Sequence, residues 1–281
     1  MKDKLNNMIT ENFDKFLNSP YNVMKPKRIT DYNKVLPIVE LYPCIQSEGS
    51  RQGRPTIAIR TTGCTHRCWF GEGGWCDSWY TSIHPEKGLY NFNDIIKIYD
   101  QYPYITEMML TGGSPTMHPD LVNELTHFAH ERGILITIET EGSHFIETDY
   151  PIGLISLSPK FSNSIPKIGV STPQGAIVDE KMVKQHNKMR LNHEAISQTL
   201  KYHTDYHYKP VWDGTVNTLL ELEEFRKLHN IPMNKTYIMP AGDTREELVK
   251  MYPLVFDLCA ERGYNMTGRD HIIAFDTKRG V

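Results

Sequence analysis

The sequence predicts an α/β fold, a partial (β/α) barrel of mostly parallel strands. Two patterns carry that expectation. From residue 35 onward, short apolar runs alternate with longer stretches of helical periodicity, which is the signature of repeated βαβ units. Four successive runs also end in Gly, Pro or small polar residues, and in parallel folds chemistry gathers at the C-terminal ends of the strands.

The elements follow in order. Leu5, Met8, Ile9, Phe13, Phe16 and Leu17 recur at helical spacing, so residues 1–34 are expected to form an N-terminal helical extension that packs on the main body. Asn18-Ser19-Pro20 and Lys25-Pro26-Lys27-Arg28 end it as a linker. Residues 35–281 form the main domain. Its strands are expected at Thr56–Arg60, Met108–Thr111, Ile134–Ile138, Leu154–Leu157, Tyr206–Trp212, Thr236–Met239 and His271–Phe275. Its helices are expected at Asn93–Tyr102, Pro119–Arg132, Thr215–His229 and Thr244–Arg262, with Asp120 and Asp243 near two starts and Gly133 and Gly263 just past two ends. Between about 161 and 205 the alternation lapses. Residues 179–203 read as one inserted helix, with Met182, Met189, Ile196 and Leu200 on one face and a solvated basic face opposite.

Composition excludes several function classes. The chain has 281 residues, 39% hydrophobic and 23% charged, with a net charge of −3. That does not fit a disordered chain, a collagen or a polycationic nucleic-acid binder, and no direct nucleic-acid partner is expected. No apolar run is long enough to span a membrane, and the first residues lack the pattern of a secretory signal. A cytoplasmic location is expected. Five Cys is a low, odd count, and three of them fall between positions 64 and 76. A metal or redox site in a reducing compartment fits that count better than a disulfide framework.

Cys64, Cys68 and Cys76 are spaced C-x3-C-x7-C directly after the strand at Thr56–Arg60. Three thiolates on one short loop can reach a common centre, and thiolates suit zinc or an iron–sulfur cluster. A fourth ligand is not obvious: His66 lies within the loop, Cys44 upstream and Cys259 in a helix. A site with three protein ligands is open. A zinc-stabilised binding module is the alternative from a different class.

The cysteine loop, followed after the next strand by Thr111-Gly112-Gly113-Ser114-Pro115, resembles the radical S-adenosylmethionine superfamily. The usual loop there is C-x3-C-x2-C with an aromatic before the last Cys. Trp75 fills that aromatic place, and the second spacing is seven residues here. Within the superfamily the chain resembles the 7-carboxy-7-deazaguanine synthase (QueE) family across most of residues 37–281. The segments that carry the resemblance include Gln46-Ser47-Glu48-Gly49, Gly53-Arg54-Pro55, Arg60, Cys76-Asp77-Ser78, Glu139-Thr140-Glu141-Gly142, Ser158-Pro159-Lys160, Met239-Pro240-Ala241-Gly242, and the tail from Arg269-Asp270-His271 to Lys278-Arg279-Gly280-Val281.

The resemblance implies a carbon–nitrogen lyase of 7-deazapurine (queuosine-type) biosynthesis. Its substrate is 6-carboxy-5,6,7,8-tetrahydropterin, its product 7-carboxy-7-deazaguanine. By position, Cys64, Cys68 and Cys76 ligate a [4Fe–4S] cluster whose open iron takes S-adenosylmethionine. Gly112, Gly113 and Ser114 match the strand end that receives the methionine amine, and Ser114 stands where the family has Glu. Thr140, Ser158 and Lys160 match positions beside the cofactor's ribose and carboxylate, and Met239 and Pro240 lie near its adenine. Gln46, Glu48, Gly49, Arg60 and His271 match the pterin pocket, with Arg60 expected on the pterin carboxylate. Ser78 stands at the family's Mg²⁺ position, usually Thr. A flavodoxin-like electron donor and a homodimer are family expectations. A second enzyme reading, a glycyl-radical activase, explains the cluster loop and strand ends but not Gln46–Gly49, Cys76-Asp77-Ser78 or the tail.

Overall fold

Apolar β-branched and Leu/Met side chains make up the buried strands. Ile57 and Ile59, Met108 and Leu110, Ile136 and Ile138, and Ile155 and Leu157 are each no more than 2% exposed, as strands covered on both faces require. In a computed structural model, which describes residues 25–70, 74–82 and 85–281, these side chains lie on neighbouring strands. Strands β1 (Ile38–Ile45), β2 (Pro55–Thr61), β3 (Glu107–Gly112), β4 (Leu135–Thr140), β5 (Leu154–Leu157) and β6 (Tyr206–Tyr208) form one sheet in that order. Only the β1–β2 pair is antiparallel; β2 through β6 run parallel, in registers such as Ile59 beside Leu110 and Ile138 beside Ile155. Strands β7 (Val211–Trp212), β8 (Tyr237–Pro240) and β9 (Asn265–Met266) form a second parallel group, joined to the first by a bridge between Tyr208 and Thr236. Among the described residues the barrel is open, as expected.

Helices cross between strands where the periodicity placed them. They are α1 (Phe92–Gln101), α2 (Pro119–Arg132), α5 (Val216–Leu228) and α6 (Arg245–Arg262). Asn91 and Asp94 close a capping box on α1, and Thr215 and Thr244 cap α5 and α6 with their side-chain oxygens. Gly133 and Gly263 end α2 and α6 in the left-handed conformation.

The structure departs from the sequence-based expectation at four places, and a fifth expectation lies outside the described residues. Strand β1 was not anticipated; Pro43 breaks its apolar alternation, and an edge strand tolerates Pro because one side of it needs no donor. The expected strand Tyr206–Trp212 is two strands. Pro210 has no N–H for the ladder, so β6 stays with β5 while β7 pairs with β8. The single inserted helix is two, α3 (Glu180–Met189) and α4 (His193–Tyr202), because Asn192 starts a second cap on the Ala195 N–H. The run His271–Phe275 is a helix, α7 (Asp270–Phe275), with Ile272 as its buried residue; a short apolar run cannot by itself separate strand from helix. The predicted helix of the N-terminal extension lies mainly in residues 1–24, outside the described residues. The end of that extension is tied to α2, where Glu124 accepts from Arg28 and from the Tyr32 hydroxyl at 2.6–2.9 Å.

Among the described residues no helix is long and apolar enough to cross a membrane.

Candidate active site

The C-terminal ends of the parallel strands open into one cavity. β2 leads into the cysteine loop, β3 ends at Gly112-Gly113, β4 ends at Glu139-Thr140-Glu141, Ser158 and Lys160 follow β5, Lys209 follows β6, Met239 lies in β8, and Arg269 and His271 follow β9; all line the cavity.

Cys64, Cys68 and Cys76 face this cavity together. The long second spacing is closed off at its base. The Cys76 N–H donates to the Cys68 carbonyl at 3.1 Å, Trp69 and Trp75 form an antiparallel bridge, and their rings meet edge to face at 4.8 Å. Trp69–Phe70 and Gly74–Trp75 therefore pair as the base of a hairpin, and the two cysteines stay neighbours. The inserted segment clasps that hairpin. The Trp75 indole donates to the Ser171 carbonyl at 3.1 Å, the Trp69 N–H donates to Ser164, and both rings pack with Val178, Val170 and Met182 in a small second core.

Cys68 is buried, and Cys64 and Cys76 are half-buried. Burial first, then the Asp77 carboxylate, pushes Cys76 up to about 12. Burial and neighbouring negative groups push Cys64 and Cys68 higher still. They are neutral at physiological pH, so a soft metal centre that takes them as thiolates must release their protons. Among the described residues no group of three His, Cys, Asp or Glu is gathered on a single-ion centre. A cluster that takes each thiolate on a different iron does not require such a group. The donor set, three convergent thiols on one open cavity, fits an iron–sulfur cluster.

Gly112 and Gly113 are glycine for a backbone reason. Gly112 has φ +114, and a Cβ at Gly113 would lie 2.1 Å from the Gly63 carbonyl oxygen. The Gly113 and Ser114 N–H groups donate to Thr61 and Gly63 at 3.0 and 2.7 Å. The strand end is thus laced to the start of the cysteine loop, which fixes where that loop leaves the sheet.

On one wall buried charges are matched. The Lys209 ammonium, 3% exposed, donates to Glu48 and, at 2.6 Å, to Glu139. Arg269 donates to Glu48 at 2.9 Å, to the Gly242 carbonyl at 2.6 Å and to Asp77. Burial would raise Glu48 and Asp77, but Lys209 with Arg269, and Arg269 with Arg60, hold them well below the ordinary carboxylate range. Arg60 donates to Glu40 at 2.6 Å and to the Ser78 hydroxyl at 2.9 Å, while Ser78 donates to Asp77 at 3.1 Å.

Of the residues singled out from sequence, Glu48, Arg60, Ser78, Gly112, Gly113, Thr140, Ser158, Lys160, Met239 and His271 line the cavity with the three cysteines. Four do not. Gln46 is buried against Glu107 and Thr137, both at 3.4 Å. Gly49 closes the turn behind the wall, its N–H donating to Thr267 at 2.6 Å. Ser114 is fully buried and donates to Glu141 at 2.7 Å. Pro240 is buried behind Met239. Sequence reasoning assigned no site role to Asp77, Glu139, Glu141, Lys209 or Arg269. All but Asp77 sit at or just beyond a strand's C-terminal end, and applying that rule to charged residues as well as to Gly and Pro finds those four.

No protein-family model matches the chain. Curated relatives do. The chain is 34% identical to the 7-carboxy-7-deazaguanine synthase of Halobacterium salinarum over 242 residues, 84% of this chain and 89% of that one. It is 29% identical to the enzyme of the same name from Rhodopirellula baltica over 244 residues, 87% and 88% of the two chains. Its fold matches the crystal structure of QueE from Escherichia coli with a TM-score of 0.56 and 20% identity, covering 83% of this chain and 92% of that one. With three cysteines and a charged wall on one cavity at the strand ends, and relatives matched over nearly their whole length, the chain belongs to the 7-carboxy-7-deazaguanine synthase family.

Proposed function

We propose that this protein converts 6-carboxy-5,6,7,8-tetrahydropterin to 7-carboxy-7-deazaguanine with release of one ammonia, as a radical S-adenosylmethionine lyase of 7-deazapurine biosynthesis. The observation that carries the reading is the convergence of Cys64, Cys68 and Cys76 on the cavity that also holds Arg60, Glu48 and His271. When bound, the cluster and S-adenosylmethionine supply a 5′-deoxyadenosyl radical that removes hydrogen from C6 of the pterin.

The chain's own residues bind and orient. Arg60 is held by Glu40 and faces the cavity, so its remaining donor capacity is turned toward an anion such as the pterin carboxylate. Glu48, fixed by Lys209 and Arg269, presents a carboxylate to ring N–H donors. His271 is kept neutral because burial lowers its pKa, and it offers a ring nitrogen rather than a charge. Lys160 donates to the Ser158 carbonyl and hydroxyl at 2.9 and 3.0 Å, on the side assigned to the cofactor. Thr140 and Met239 border the same side. Ser78 and Asp77 offer adjacent oxygens on the cavity, a hard donor set that would suit Mg²⁺, which would supply positive charge beside the substrate carboxylate. A flavodoxin-like reductant, a homodimer and a cytoplasmic location complete the reading; five unpaired thiols support a reducing compartment.

Anaerobic turnover of reconstituted protein with the carboxypterin, S-adenosylmethionine and dithionite, with the product identified by mass, tests the activity. Replacing Cys64, Cys68 or Cys76 by Ala is expected to abolish iron retention, whereas Cys44→Ala and Cys259→Ala leave it intact. Iron retained in any of the first three variants overturns the ligand assignment.

A further inference from the structure

Glu141 differs from every other carboxylate on the cavity. It is 6% exposed and lines the same cavity as the three cysteines. Its Oε1 accepts from the Ser114 hydroxyl at 2.7 Å and from the Ser143 hydroxyl. Among the described residues no Lys or Arg nitrogen lies within 4.0 Å of it, and the one basic neighbour is the His66 ring at 3.9 Å. At that distance the ring makes no hydrogen bond to Glu141, and its Nδ1 is paired instead with the Thr65 hydroxyl at 2.9 Å. Two hydroxyls fix the carboxylate in place, and among the described residues no Lys or Arg pairs with it. Hydrogen bonds from neutral hydroxyls carry the carboxylate without cancelling its charge, so a ligand cation has a ready counter-charge there.

The position of Glu141 says what the cation must reach. His66 lies between Cys64 and Cys68 in the cysteine loop, so a group held at Glu141 sits beside that loop. Ser114, which donates to Glu141, follows Gly112-Gly113 at the end of β3. The carboxypterin brings an anion and neutral ring edges; S-adenosylmethionine brings a primary ammonium. We infer that Glu141 is the acceptor for the α-ammonium of S-adenosylmethionine, so that the carboxylate missing at Ser114 is supplied from the end of the neighbouring strand, with Ser114 and Ser143 as positioning residues that aim it. A charge-assisted pair of this kind is about twice as strong as a neutral hydrogen bond.

This inference rests on the proposed radical S-adenosylmethionine reading, and the experiment separates the two. Full-length protein carrying its cluster is titrated anaerobically with S-adenosylmethionine and, separately, with the analogue whose amine is replaced by hydrogen. Binding is read by equilibrium dialysis in wild type, Glu141→Gln and the double variant Ser114→Glu/Glu141→Gln. Glu141→Gln is expected to weaken S-adenosylmethionine by at least about tenfold while moving the deaminated analogue less than about twofold. The double variant, which returns a carboxylate from the adjacent strand end, is expected to recover most of the loss. Gln still accepts from both serine hydroxyls, so iron content and thermal midpoint are expected to hold; should they fall, Glu141→Asp takes its place with the same reading. Equal weakening of both ligands, or no weakening of either, overturns the role of Glu141. A wild type that holds its cluster yet binds no S-adenosylmethionine overturns the functional reading instead.

Discussion

The two walls of the cavity treat buried charge in opposite ways. On one, Glu48, Glu139 and Asp77 are matched by Lys209 and Arg269 within a single hydrogen-bonded network. On the other, Glu141 is held by two hydroxyls, with no Lys or Arg beside it among the described residues. The first wall has its charges matched before any ligand arrives, so its carboxylates are held in fixed positions. The second has a charge left over. The difference teaches that a buried carboxylate informs on function through its partners: matched, it is a rigid acceptor for neutral donors; unmatched in an open cavity, it points to a cation.

The sharpest way to break the comparison is to unbalance the matched wall. Lys209→Met leaves Glu48 and Glu139 facing each other without their ammonium, and a loss of about 3–5 kcal/mol is expected in denaturant unfolding of cluster-free protein. A loss under about 1 kcal/mol would mean the network is not needed for shape. The next largest effect lies behind that wall. Gly49 has φ +74, and a Cβ there would stand 2.4 Å from the His207 ring. That ring cannot easily retreat, because Ser50 and Ser156 hold its two nitrogens at 2.8 and 2.7 Å. Gly49→Ala is expected to cost about 2–4 kcal/mol from backbone strain and overpacking. Full stability in this variant would show that the turn can shift freely.

His207 also gives the matched wall a pH dependence. Burial, then the nearby Lys209, lowers its pKa from 6.5 to about 3, so the fold holds the neutral ring. Because the folded value is the lower one, its contribution is complete above about 6.5 and is lost as pH falls toward about 3. Unfolding free energy measured across that window is expected to decline with acid, and His207→Gln is expected to flatten the decline. Parallel profiles in the two proteins would assign the slope elsewhere. The smallest expected change is on the unmatched wall. Glu141→Gln is expected to alter the stability of ligand-free protein by less than about 1 kcal/mol, since both hydroxyl contacts survive. A larger loss would make Glu141 part of the scaffold.

Much of this was legible in the sequence, and the failures have physical reasons. Period and caps placed α1, α2, α5 and α6 because each has an amphipathic face and a side-chain or glycine signal at an end. Strand β1 was hidden by Pro43, and the change of sheet at Pro210 was hidden because a run of apolar residues does not state its partners. The three cysteines and Arg60 were legible because each has few roles to play at such a spacing. Gln46 and Gly49 lie off the cavity lining, and a motif names positions without saying which way side chains turn. The strand-end rule finds Glu141 without saying what it holds; its meaning lies in the Lys or Arg it lacks among the described residues, and such an absence exists only in three dimensions.

The hairpin between Cys68 and Cys76 has one more consequence. Its base is closed by the Cys76–Cys68 backbone bond and the Trp69–Trp75 bridge, and the inserted segment holds it from outside. The distance between the two cysteines is therefore set by the base and not by the number of residues beyond it. Closing a flexible loop costs entropy only logarithmically in its length, about 0.6 kcal/mol for each doubling. This stretch is thus a place where a short reporter peptide can be spliced in beside the cavity with the spacing of Cys68 and Cys76 held by the base.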